Sequence, residues 1–210
     1  MTLKIQRLLA RAKKNKKKGD IRAAKDDYLA VLKSAPNNQE AKNQLSKLPQ
    51  SKPTSPTQSQ LDLIIKLYSS GQIQDALSSL ELLINDYPYD PSLFNIRGAC
   101  FKATNQMESA VTSFKSAINI KPDYVEAYFN LGVTLQELDK SNEAIKYYET
   151  AIKIKPAYPT AHNNLGLIFL ELNQLDFAAE HFNLAISYNP QFAEAHNNLG
   201  ATLQQDRKFD

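Results

Sequence analysis

The segment Ala161-His162-Asn163-Asn164-Leu165-Gly166 returns unchanged as Ala195-His196-Asn197-Asn198-Leu199-Gly200. A looser copy, Ala127-Tyr128-Phe129-Asn130-Leu131-Gly132, stands the same interval earlier. A fixed period of about 34 residues restricts the chain to a stack of like units. One unit cannot bury its apolar face alone and must cover it with a neighbour. Units in register begin at Thr57, Pro91, Val125, Pro159 and Ala193. Position 8 holds Gly98, Gly132, Gly166 and Gly200, and position 20 holds Ala76, Ala110, Ala144 and Ala178. Position 27 holds Ala117, Ala151 and Ala185; position 32 holds Pro88, Pro122, Pro156 and Pro190. Position 24 is large: Leu80, Phe114, Tyr148 and Phe182.

Each choice has a mechanical reason. Glycine or alanine at positions 8, 20 and 27 lets two helices approach closely. Proline at position 32 ends a second helix, since it lacks a backbone donor and disfavours the α region for the residue before it. Pro91 and Pro159 stand at position 1, where a first-turn N–H has no partner in any case. Leu131, Leu135 and Leu138, then Ile145, Tyr148 and Ile152, step at helical spacing. The unit is therefore a helix–turn–helix that fills one period. Its pattern resembles the tetratricopeptide repeat (TPR) family over 57–210. The resemblance implies an all-α TPR solenoid, a right-handed superhelix of antiparallel helix pairs. Full repeats would span 57–90, 91–124, 125–158 and 159–192, with a partial one at 193–210. Ile64 departs from the pattern at position 8 and predicts less intimate packing of that first helix.

The N-terminal segment fits the same register if it starts at Ile5. Leu8, Ala12, Gly19, Ala24, Tyr28, Val31 and Pro36 then fall on repeat positions, and Gly19, like Gly71, occupies the turn at position 15. The interval from Pro36 to Pro88 is 52 residues, one period plus an insertion of 18, so the array is interrupted. We expect a helical hairpin over 1–47, with a short closing helix at 40–48. A Pro/Ser/Thr-rich linker follows at 48–56, then the main array at 57–210. Charge divides at the same place. Residues 1–52 carry 14 Lys and Arg against 4 Asp and Glu, and the remainder carries 11 against 18. The run Lys13 to Lys18 can be a solvated helix face, an attachment to nucleic acid or an acidic surface, or a contact for the acidic array. An electrostatic attachment to nucleic acid would weaken steeply with salt. No aromatic residue interleaves the cations before Tyr28, which argues against a single-stranded nucleic-acid platform.

Several classes of chemistry find no support. Cys100 is the only cysteine, so no intrachain disulfide framework or cysteine metal cluster exists. The composition suits a reducing, cytoplasmic setting. There is no apolar run of membrane-spanning length and no secretory signal. A phosphate-binding loop, a dinucleotide fingerprint and a nucleophile elbow are all missing. His162 and His196 share position 4 with Phe94 and Tyr128, which reads as packing rather than metal ligation. We expect no catalytic residue, metal or cofactor within 1–210.

In the TPR family, positions 2, 5, 6, 9, 12 and 13 of each first helix face a concave groove. Here Asn130, Asn164 and Asn198 occupy position 6, and Asn95, Asn163 and Asn197 occupy position 5. A carboxamide both donates and accepts, so such a ladder can hold an extended peptide by its backbone. The Ala-His-Asn-Asn-Leu-Gly repeats are similar to those of O-linked N-acetylglucosamine transferases, where an asparagine ladder guides protein substrates. An equal alternative is that asparagine serves helix packing. Chaperone-binding TPRs grip a C-terminal carboxylate with Lys and Arg at positions 2, 5 and 6. Here Glu126, Phe129, Asn130, Thr160, Asn163, Asn164, Glu194, Asn197 and Asn198 stand there, so no binding of such tails is expected. The partner expected is a protein or extended peptide, and the function that of a binding scaffold. The last unit stops at Asp210 before its second helix, so the chain reads as the N-terminal module of a longer protein. It could pair end to end through the last helix. The alternative is the substrate-recognition arm of a glycosyltransferase, a sulfotransferase or a 2-oxoglutarate oxygenase, as in bacterial proteins that join such arrays to a catalytic domain.

Overall fold

A computed structural model describes residues 3–48 and 55–206. Those residues form twelve helices and no strand. The helices gather into two compact units, 1–54 and 55–210.

The first unit holds α1 (Leu3–Lys17), α2 (Ile21–Ser34) and α3 (Gln39–Ser46). Asp20 caps α2 by accepting from the Ala23 N–H, and Asn38 caps α3 through the Ala41 N–H. Such caps satisfy donors that a helix start leaves unpaired. The core packs Ile5, Leu9 and Ala12 of α1 against Ala24, Tyr28 and Val31 of α2 and Ala41 of α3. The third helix, α3, runs over Gln39–Ser46. It starts one period after Ile5, and its Ala41 is buried like Leu93, Ala127, Ala161 and Ala195 at position 3 of the later units. α3 therefore stands where a next unit's first helix would begin. Arg11 reaches across to form a bidentate ion pair with the buried Asp27. Most of the linker expected at 48–56 lies outside the described residues, as do 207–210 of the last unit.

The second unit alternates first helices with second helices. The first helices are α4 (Gln58–Ser69), α6 (Pro91–Ala103), α8 (Val125–Glu137), α10 (Pro159–Glu171) and α12 (Ala193–Asp206). The second helices are α5 (Ile73–Asp86), α7 (Met107–Ile120), α9 (Ser141–Ile154) and α11 (Leu175–Tyr188). Every second helix starts at position 17 and ends just before its position-32 proline. Pro91 and Pro159 open their helices, and Thr57 with Gln60 forms a reciprocal capping box on α4. The turn residue at position 15 has positive φ in each full unit: Gly71 at 77°, Asn105 at 59°, Asp139 at 57° and Asn173 at 56°. Asn and Asp replace glycine there because they tolerate the left-handed region better than other side chains.

The small residues do what their sizes suggest. A Cβ placed on Gly98, Gly132 or Gly166 would lie 2.5 to 2.8 Å from the ring of Phe114, Tyr148 or Phe182. Glycine at position 8 is thus the seat for the ring at position 24 of the same unit. In the first unit of this array position 24 is Leu80 rather than a ring, opposite Ile64 at position 8. Ile64 is 1% exposed and clusters with Ala76, Leu77 and Leu80, so aliphatic side chains fill the space instead. α4 and α5 pack less closely along their lengths than the pairs that carry the glycine.

Candidate functional site: the face of the first helices

Hydrogen bonds between successive first helices show which side chains share a face. Asn130 Nδ2 donates to Asn95 Oδ1 at 3.1 Å, and Asn198 Nδ2 donates to Asn163 Oδ1 at 3.0 Å. Each links position 6 to position 5 of the preceding unit. Asn164 has Phe129 at that place, so it donates instead to the Tyr148 hydroxyl at 3.2 Å. That hydroxyl donates to Gln136 Oε1 at 3.1 Å. Burial pushes the Tyr148 phenol far above its ordinary range, while the bond from Asn164 pulls the other way. It stays a neutral donor at any physiological pH.

The carboxamides are therefore not equivalent. Asn163 is 1% exposed; it accepts from Asn198 and donates to Glu194 Oε1 at 3.4 Å, so it ties units together. Asn95, Asn130, Asn164 and Asn198 are half-buried, and Asn197 is exposed. An amide offers two N–H donors and two acceptor lone pairs. One N–H of Asn130 or Asn164 is used by the array, which leaves donor and acceptor capacity toward the face.

The same face is acidic. Its groove positions bring together Asp62, Glu126, Glu137, Glu171 and Glu194, all exposed, with Lys102 as the one cation among the described residues. Lys102 and Glu137 form an ion pair at 2.7 Å across neighbouring helices. Beside that pair a depression of about 260 Å³ opens between α4, α6 and α8, over Tyr68, Ala99, Ala103, Phe114 and Asn130.

The histidines fall away from this face. His162 is buried and its Nε2–H donates to the Pro156 carbonyl at 3.1 Å. Its Nδ1 then accepts from His181 Nδ1–H at 3.2 Å. Tyr128 and Tyr147 hold the same two places, positions 4 and 23, one unit earlier, with ring centroids 6.2 Å apart. Packing explains His162, but its partner His181 was not anticipated. The Tyr128–Tyr147 equivalence was the signal that could have found it. Burial lowers the affinity of both imidazoles for a proton; His162 adds to the effect at His181, and Glu180 opposes it there. His196 repeats the bond to a proline carbonyl, Pro190 at 3.0 Å, but is exposed. Cys100 is buried, and desolvation pushes its thiol up to about 11, which makes it a poor nucleophile. Among the described residues no three His, Cys, Asp or Glu side chains converge as a metal site. Nor is any described helix long and apolar enough to cross a membrane.

Comparison with known proteins agrees with the architecture. The family model of the TPR repeat matches residues 98–139, 137–173 and 166–206, which together run through more than half of the chain. The chain belongs to the TPR repeat family. Its backbone is similar to a crystal structure of MamA at 25% identity and TM-score 0.59, covering 87% of this chain and 96% of that one. It is also similar to YrrB, described as a TPR protein with an unusual peptide-binding site (16% identity, TM-score 0.57, 90% of this chain and 89% of that one). A third likeness is the first TPR of Spaghetti (RPAP3) bound to the HSP90 peptide SRMEEVD (17% identity, TM-score 0.54, 55% and 92% of the two chains). The last two identities bear on fold alone. No curated protein matches the chain in sequence.

Proposed function

We propose that this chain is a protein-binding scaffold that holds an extended segment of a partner along its first helices. Asn130, Asn164, Asn197 and Asn198 would contact the partner's backbone, while Asn95 and Asn163 hold neighbouring helices in register. The observation that carries this reading is the spacing of the amides. At position 6 they recur in the last three units, Asn130, Asn164 and Asn198, each tied down by the preceding unit with capacity left over. A pre-ordered amide loses little freedom on binding, which favours backbone recognition without strong side-chain selectivity. The division into a basic N-terminal module, 1–47, and an acidic array, 57–210, belongs to the same reading, as does a cytoplasmic setting for a lone unpaired thiol.

The test is selection from a random-peptide display library on the whole chain, followed by affinities on Asn130→Ala/Asn164→Ala. Each lost hydrogen bond is worth roughly 0.5–1.5 kcal/mol, so the double variant should bind selected peptides about tenfold more weakly. Unchanged affinity would overturn the carboxamide reading. SRMEEVD itself, the acidic peptide held by the RPAP3 domain, should not bind at micromolar concentration, because the cations that could clamp its carboxylates are replaced here by Glu126, Glu194 and asparagines.

A further inference from the structure

In a repeat array each position can be compared with its equivalents, so a missing side chain shows as a notch. At position 9 the first helices carry Ile65, Ala99, Val133, Leu167 and Ala201. At position 13 they carry Ser69, Ala103, Glu137, Glu171 and Gln205. α6 alone has alanine at both, and positions 9 and 13 lie one turn apart on one face of a helix. The depression of about 260 Å³ lies over this alanine pair. Phe114 of α7, Tyr68 of α4 and Asn130 of α8 line it with them. The Lys102–Glu137 ion pair borders it, so its edge carries no net charge.

The size decides between occupants. Small-molecule sites usually take about 300–1,000 Å³ and enclose most of the ligand. At about 260 Å³ this notch stands at the lower edge of that range and is open to solvent, which suits a single side chain of a longer partner. The methyls of Ala99 and Ala103 and the rings of Phe114 and Tyr68 line it beside the polar groups of Lys102, Asn130 and Glu137, which suits a large side chain with an apolar body and polar surroundings. Asn130, one of the amides assigned above to the partner's backbone, lines it as well. The surrounding face, with Asp62, Glu126, Glu171 and Glu194 exposed, attracts cations and repels carboxylates.

Resting on the groove reading above, we infer that the partner segment is a basic extended peptide that seats one large apolar side chain in the Ala99–Ala103 notch. The notch sets the register of the peptide, and the acidic face selects its charge.

The chain contains no tryptophan. A display-selected peptide resynthesised with Trp as its apolar residue therefore reports its own surroundings by fluorescence. The expected consensus is Leu, Ile, Met, Phe, Tyr or Trp flanked by Lys or Arg, and the bound Trp emission should shift to the blue. The variant Ala99→Val/Ala103→Glu gives α6 the residues that α8 carries at the same positions, so the fold tolerates them; a thermal melt verifies this. It should remove the blue shift and weaken binding about tenfold or more, as expected for loss of one buried apolar side chain. The added carboxylate alone would strengthen a basic peptide, so a loss reports the filled notch. Asn130→Ala/Asn164→Ala should weaken binding yet keep the blue shift. Acidic consensus peptides, peptides lacking an apolar residue, or an unaltered blue shift in Ala99→Val/Ala103→Glu would each overturn the notch while leaving the groove reading standing. Failure to enrich any peptide overturns both.

Discussion

Adding one methyl group to Gly132 would place a carbon 2.8 Å from two ring atoms of Tyr148. At Gly200, the same position in the last unit, nothing lies within 4 Å. The two glycines should therefore respond with opposite signs. Gly132→Leu overpacks the crossing and should cost roughly 1–3 kcal/mol in urea unfolding. Lys140→Leu, at an exposed site, should stay within about 0.5 kcal/mol. Gly200→Ala should stabilise by up to about 1 kcal/mol, because alanine is the better helix former where space is open. Equal effects at Gly132 and Gly200 would show that position 8 does not serve as the seat of the ring. The turn gives a second residue-level test. Asn173 sits at φ 56°, so Asn173→Val should cost about 1–2 kcal/mol, and Asn173→Gly should not. The glycines at position 8 and the turns at Gly19 and Gly71 were legible as letters. Asn105, Asp139 and Asn173 were not, since an asparagine or aspartate does not announce a left-handed backbone until the turn is built.

At the scale of one helix pair, α10 and α11 carry a bond that depends on protonation. His162 Nδ1 accepts the proton that His181 Nδ1 donates. A second proton would set two donors face to face in a buried place. Both imidazoles hold protons more weakly in the fold than at their ordinary 6.5. The unfolded chain therefore binds more protons through this range. Stability is fully present above about pH 6.5, declines as pH falls toward the lowered folded values, and levels off below them. His162→Tyr/His181→Tyr installs the pair that α8 and α9 already use, Tyr128 and Tyr147. Thermal melts of that variant between pH 7.5 and 5 should show a flatter dependence than the parent. A parent that melts equally across the range would remove the pair's role. Helix limits were far more legible than this pair. Proline at position 32 acts through its own ring, whereas the histidine pair needs two helices brought side by side.

Across the array, cover decides which helix opens first. α8 and α10 are packed by neighbours on both sides, and Leu135 and Leu165 are almost fully buried. In α12 Leu203 is 48% exposed at the position where Leu135 is buried, and Gly200 receives no ring. Stability in such a stack is close to a sum of unit and interface terms, so it need not be uniform. Amide hydrogen exchange should be slowest in α8 and α10 and clearly faster in α12. Uniform protection would mean that the array opens only as a whole.

The repeat period, the helix pairs and the sites of close approach could be read from the chain because each rests on local rules repeated in register. A small residue, a proline or a turn residue acts within one or two turns of itself. The asparagines could be counted but not ranked. Whether an amide is spent depends on what the preceding unit offers. Asn130 meets Asn95, Asn164 meets the Tyr148 hydroxyl because Phe129 takes the place of an amide, and Asn163 is buried between Glu194 and Asn198. The notch over Ala99 and Ala103 is likewise bounded by α4 and α8, helices one full period to either side, and only their stacking turns two alanines into a site.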